Sequence, residues 1–130
     1  MSTRMTVLRR AILDHLARHD GPLSVPALQE VLLGDGLTPN KTSLYRQLES
    51  LHSGGEVQEV LLDNSGVYYE VSASHHHHAL CKLCATAICI AHAVAEKGVK
   101  HLEGIARKSG FAATDHHMVL YGICKSCQAK

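Results

Sequence analysis

Two Cys-x-x-Cys pairs, Cys81-Lys82-Leu83-Cys84 and Cys124-Lys125-Ser126-Cys127, constrain this chain more than any other feature. Two such pairs in 130 residues predict a closed tetrahedral thiolate site for zinc. The 39 residues between Cys84 and Cys124 are more than a compact zinc ribbon holds, so a whole domain must fold to bring the pairs together. Metal binding is then expected to be linked to that folding. The competing reading is a pair of incidental or redox-active motifs. In a reducing compartment, paired cysteines favour metal over disulfide. The fifth cysteine, Cys89, reads as a small buried hydrophobe in preference to a fifth ligand.

His75-His76-His77-His78 runs almost directly into the first pair. If this run is extended, alternate side chains point to opposite faces: His75 and His77 one way, His76 and His78 the other. One strand would then supply half the ligands of two separate metal sites. Neutral imidazole suits zinc, iron, nickel or copper. Further ligands must come from elsewhere, with Glu70, Glu96 and either His116 or His117 as candidates. The plainer alternative is a solvated polar hinge without metal affinity. His15, His19, His52, His92 and His101 are isolated and read as surface histidines.

The first half of the chain reads as three helices and a hairpin. Leu8, Ile12, Leu13 and Leu16 share one face over residues 5–19, with Arg9, Arg10, Asp14 and Arg18 outside it. Ser24 is placed to cap a second helix with Pro26 in its first turn and Leu28, Val31 and Leu32 inward. Leu44, Leu48 and Leu51 form the inner stripe of a third helix over 40–51. Strand-like runs at 56–62 and 67–71 flank the turn cluster Asp63-Asn64-Ser65-Gly66. That order is the winged form of the helix-turn-helix. On the third helix Lys41, Thr42, Ser43, Tyr45, Arg46 and Gln47 offer donors to phosphates and base edges, and Arg9 on the first helix is a further candidate. An ordinary solvated helix face is the alternative.

Ser72-Ala73-Ser74 is a flexible joint, giving a winged-helix domain over 1–71, a hinge over 72–78 and a second domain over 79–130. The second domain shows a strand at 86–90 and a helix at 94–108 with Val94, Leu102, Ile105 and Ala106 inward. A last strand at 117–123 is buried on both faces or shared with a second subunit. With no Trp and one Phe, the core is aliphatic and expected to lean on a metal or a partner. No segment is long and apolar enough to span a bilayer, and the N-terminus lacks a signal-peptide pattern, so a cytoplasmic protein is expected. A net charge of +1 neither requires nor excludes a nucleic-acid partner.

Together these residues resemble the ferric uptake regulator (Fur) family of metal-responsive repressors. The resemblance rests on Thr42-Ser43-Leu44-Tyr45-Arg46-Gln47-Leu48, Val67-Tyr68-Tyr69-Glu70, the segment from His75 to Cys84, the closing run from His116 to Cys124, and the second cysteine pair. It implies an α+β protein: an N-terminal winged helix-turn-helix domain followed by a small α/β dimerisation domain with a four-cysteine zinc site. It further implies a hinge metal site using Glu70, His76 and His78, and a second site using His75, His77, Glu96 and His116.

Relative to that family the chain starts late, so a short N-terminal DNA-contacting helix is expected to be missing or reduced. Pro22-Leu23 stands where many members place a further hinge histidine, with His19 or Asp20 as substitutes. The unbroken histidine run is more like zinc-sensing members, and a nitrogen-rich shell favours zinc over ferrous iron, with manganese and nickel as further candidates.

The expectation is a homodimeric repressor of metal-uptake or metal-homeostasis genes on a palindromic double-stranded operator. Neither a membrane partner nor a small-molecule substrate is expected. The alternatives are a peroxide- or redox-sensing regulator, a zinc-storage protein, and a zinc hydrolase. The hydrolase fares worst: no His-Glu-x-x-His is present to hold a catalytic zinc with a general base beside it.

Overall fold

The computed structural model describes residues 3–62, 66–72, 77–90 and 92–130. His75, His76, most of the predicted 63–66 turn and the centre of the predicted joint lie outside them. The chain divides into two compact units, Met1–Ala73 and Ser74–Lys130.

Unit one is built on leucine stripes. Helices α1 (Thr3–Arg18), α2 (Val25–Gly34) and α3 (Lys41–Ser53) each present residues three or four apart to a common core. That core takes Leu8, Ile12 and Leu16 from α1, Val25, Leu28 and Leu32 from α2, and Leu44, Leu48 and Leu51 from α3. The starts of α2 and α3 are capped as their sequences demand. Ser24 accepts from the Ala27 N–H at 3.3 Å, and Asn40 Oδ1 accepts from the Ser43 N–H at 2.8 Å.

Strands β2 (Val57–Leu61) and β3 (Val67–Val71) pair antiparallel, and Gly66, at φ +93°, takes the left-handed conformation that closes their turn. A two-residue strand β1 (Leu23–Ser24), invisible to periodicity at that length, adds to the other edge of β3. Val57 and Tyr69 complete the core from this sheet.

Unit two is organised by one central strand. β4 (His77–Cys81) pairs antiparallel with β5 (Ala87–Ile90) and parallel with β6 (Val119–Gly122), giving the order β5-β4-β6. Helix α4 (His92–Lys108) lies in the connection that returns the chain to run parallel to β4. A short α5 (Lys125–Gln128) follows. His77 and His78 therefore belong to the central strand of a sheet.

Burial in unit two departs from expectation. Its buried apolar residues, among those described, are Leu80, Cys81, Ala87 and Val99. Val94, Leu102 and Ile105, expected inward, are 72%, 62% and 52% exposed. Leu120, Tyr121 and Ile123 are exposed as well, so the last strand is not buried on both faces within one chain. The periodicity correctly located an apolar face, but it does not say whether the same chain covers that face. No helix among the described residues is long and apolar enough to cross a membrane.

Buried and exposed leucines of unit one should respond differently to truncation. Leu48→Ala, at a fully buried site, is expected to cost unit one about 2–5 kcal/mol. Leu33→Ala, at an exposed site on α2, should stay within about 0.5 kcal/mol of the parent. Denaturant unfolding of both variants checks this.

Candidate metal centre

The parallel pairing of β4 with β6 is what makes the cysteine site. Cys81 sits opposite Gly122, so both strands end at the same edge of the sheet and each runs into its own cysteine pair. The Lys82 N–H donates to the Gly122 carbonyl at 2.8 Å and locks the two ends together. In the first pair the Ala85 N–H donates to the Cys81 carbonyl at 3.0 Å. That turn holds Ala85 at φ +64°, a left-handed conformation costing a non-glycine residue about 1–2 kcal/mol.

The sulfurs of Cys81, Cys84, Cys124 and Cys127 all lie within 4.8 Å of one another, and Cys84 Sγ is 3.7 Å from Cys124 Sγ. Around a zinc ion with Zn–S bonds of about 2.3 Å, a regular tetrahedron places its sulfurs about 3.8 Å apart. The measured spacing fits that figure and is far from the roughly 2.05 Å of a disulfide.

The electrostatics point the same way. The Cys81 thiol is lowered to about 6, chiefly because the Cys124 backbone N–H donates to its sulfur at 3.3 Å. Cys84 is lowered as well, first by Thr86, whose hydroxyl lies 3.1 Å from its sulfur and donates to the thiolate. Cys127 is raised to about 12, first by the neighbouring Cys124 sulfur and then by burial. The group thus accepts its first negative charge readily and resists the last. A dication resolves that conflict.

A second cluster lies on the other side of the histidine strand's chemistry. His77, 1% exposed, places Nε2 3.2 Å from Glu96 Oε1. His116 Nε2 lies 3.3 Å from the same oxygen, and its ring centroid is 5.1 Å from that of His77. His116 Nδ1 is also 3.6 Å from Glu103 Oε1. The structure thus brings His77, Glu96 and His116 together, with donor atoms within 4.8 Å of one another. His117 is exposed and outside the cluster. Glu103 was not among the sequence candidates. Its spacing of seven from Glu96, two turns along one helix face, was the available signal.

His78 follows His77 on β4 and so points to the opposite face of the sheet. It is buried and lies directly across from Cys89 on β5. Glu70, on β3 of unit one, is also buried and accepts from Gln58 Nε2 at 2.7 Å across the β2–β3 pair.

On α3, Lys41, Thr42, Tyr45 and Arg46 are exposed and Ser43 is half-buried. Gln47, read as outward, is buried. It lies three residues after Leu44 and four before Leu51, which puts it on the core stripe. Arg9 is turned to Ser50, at 3.1 Å, and to Glu56, at 3.2 Å. Three histidines read as isolated have partners: His15 with Asp35, His19 with the Gly21 carbonyl and His52 with the Val57 carbonyl.

Residues 1–121 match the model of the ferric uptake regulator family. The Ferric uptake regulation protein of Neisseria gonorrhoeae is 29% identical over 133 aligned positions, covering 98% of this chain and 88% of that protein. Among solved structures, a zinc-bound manganese uptake regulator superposes with a TM-score of 0.76 at 25% identity, over 95% of this chain and 89% of that one. A zinc uptake regulator from M. tuberculosis superposes with a TM-score of 0.51 at 30% identity, over 97% of this chain and 96% of that one. These relatives are named for three different metals.

The thiol shifts set a pH signature. Above about 6 Cys81 is already ionised, whereas Cys127 keeps its proton until the metal displaces it. Zinc uptake at neutral pH should therefore release protons, and affinity should fall as pH drops, more steeply below about 6, where Cys81 competes too. Calorimetry in buffers of different ionisation enthalpy measures the proton count directly.

Proposed function

The chain belongs to the ferric uptake regulator family, and from that premise we propose that it is a homodimeric, metal-dependent transcriptional repressor acting in the cytoplasm. Regulators of this family bind DNA as dimers and are not enzymes, so the hydrolase alternative falls away. Metal-responsive regulation is common ground among the relatives; the sensed metal is the finer question.

The observation that carries the reading is the Glu96 carboxylate poised between two imidazole nitrogens, beside a separate four-sulfur group. A structural zinc site and a second, mixed nitrogen–oxygen site in one small unit are what a metal sensor requires. In this reading Cys81, Cys84, Cys124 and Cys127 hold a structural zinc. His75, His77, Glu96 and His116 form one further site. Glu70, His76 and His78 form the regulatory hinge site. The bound cation supplies a positive charge that these ligands share. The metal then acts only through its different affinity for the DNA-binding and non-binding states of the protein.

DNA contact is assigned to the winged-helix unit: Lys41, Thr42, Ser43, Tyr45 and Arg46 on α3, with Arg9 reaching a phosphate only by leaving Glu56. Two copies related by a twofold axis match a palindromic operator. The exposed Val94, Leu102, Ile105, Leu120, Tyr121 and Ile123 of unit two supply the apolar surface that a second copy would cover. Imidazole-rich ligand sets favour zinc at the regulatory site, with iron next and manganese or nickel behind.

Titrating metal-depleted protein with Zn²⁺ or Fe²⁺ while measuring binding to the operator tests the proposal. Affinity should tighten by at least about tenfold, a coupling of about 1.4 kcal/mol. His78→Ala should remove that dependence. Arg46→Ala should weaken binding at every metal concentration and reduce the salt slope by about one. An affinity that stays flat across the titration overturns the reading.

A further inference from the structure

His77 and His116 reach the same carboxylate oxygen from very different positions in unit two. His77 lies on the central strand β4 and is 1% exposed, so close packing fixes its ring. His116 belongs to the irregular run 111–118 that leads into β6, and its side chain is 28% exposed. Regular structure does not set the direction of that imidazole, and burial does so only in part.

Helix α4 supplies what is missing. His116 Nε2 lies 3.3 Å from Glu96 Oε1, and its Nδ1 lies 3.6 Å from Glu103 Oε1. Glu96 and Glu103 are seven residues apart, about two turns along one face of the helix. The His116 ring spans that gap, with one nitrogen facing each carboxylate.

The two carboxylates are not equivalent. Glu96 Oε1 also lies 3.2 Å from His77 Nε2, where the three donor groups converge. Glu103 faces the opposite nitrogen of the His116 ring. An imidazole that gives one nitrogen to a metal carries its proton on the other, so the group facing that second nitrogen selects the tautomer.

We propose that Glu103 is the positioning residue of this site: in the metal-loaded protein it accepts the Nδ1 proton of His116 and so turns the Nε2 lone pair toward the cation shared with His77 and Glu96. The inference rests on the reading above, in which those three residues hold a metal. Two neutral imidazoles and Glu96 leave a bound dication with one uncompensated positive charge. Glu103 balances that charge through His116 and makes the imidazole a stronger donor. An ion pair between two partly exposed groups is worth little by itself. Its effect therefore falls on metal binding and hardly at all on the stability of the metal-free protein.

Full-length protein with isotope-labelled histidine and its four-cysteine site already filled by zinc is titrated with further Zn²⁺. Long-range proton–nitrogen correlations of the imidazole rings follow the titration. In the parent, His116 should show a zinc-bound Nε2 and a protonated Nδ1. Glu103 is partly exposed, so its substitutions leave buried packing intact. Glu103→Ala should lose the fixed tautomer and lower zinc affinity, read from the His116 signals, by at least about tenfold. Glu103→Gln keeps an oxygen that accepts the proton but lacks the charge. It should retain the tautomer and bind zinc more weakly than the parent and more tightly than Glu103→Ala. With His116→Ala already in place, Glu103→Ala should cost zinc affinity nothing further.

An unchanged tautomer and affinity in Glu103→Ala, or an equal loss of affinity in the His116→Ala background, overturns the assignment of Glu103. Failure of the metal reading is distinguishable, because the His116 nitrogens of the parent would then not respond to zinc at all.

Discussion

The convergence of four sulfurs at one end of β4 and β6 is the interaction on which unit two depends. Two chain segments separated by 39 residues end side by side because their strands pair in parallel, and the sulfurs then meet at the spacing a tetrahedral ion imposes. Closing a loop of that length costs conformational entropy that this unit's small apolar core is poorly equipped to offset. Leu80, Ala87 and Val99 bury little surface beside the leucine stripes of unit one. The backbone N–H groups aimed at Cys81 show a site prepared for negative charge before any cation arrives.

This contrast gives the chain a division of labour. Unit one is held by three interlocking helical stripes, a self-contained apolar core behind the α3 face to which the proposed function assigns DNA contact. Unit two places ionisable and metal-ligating groups where a self-sufficient domain would place leucines: His77 and His78 are both buried on its central strand. Burying imidazoles and a carboxylate is costly unless they are mutually bonded or share a cation. The Glu96 carboxylate bonds to both His77 and His116 and offsets part of that cost, and a cation bound by the same groups would add its binding free energy to the stability of this unit. The exposed apolar residues of α4 and β6 are the face that the proposed dimer would cover.

Much of this was legible in the sequence because the signals were local. Helix stripes, the Ser24 cap and the cysteine spacing each reside within a few residues, and the strand alternation of the histidines needs only the pleat. What escaped was set by distant partners. Gln47 looks like a polar surface residue until its spacing from Leu44 and Leu51 is weighed against its chemistry. β1 is too short to show a period and exists through its pairing with Tyr68 and Tyr69. Val94, Leu102 and Ile105 obey helical periodicity perfectly, yet periodicity is the same for a core and for an interface.

The central claim is that metal, held first by the four sulfurs, substitutes for a hydrophobic core in unit two alone. Amide hydrogen exchange of the zinc-loaded protein against the same protein after chelation reads this residue by residue. The account predicts that protection across β4, β5, β6 and α4 collapses on zinc removal while α1, α2 and α3 keep theirs. Protection in unit two that survives chelation, or a loss spread equally over both units, would contradict it.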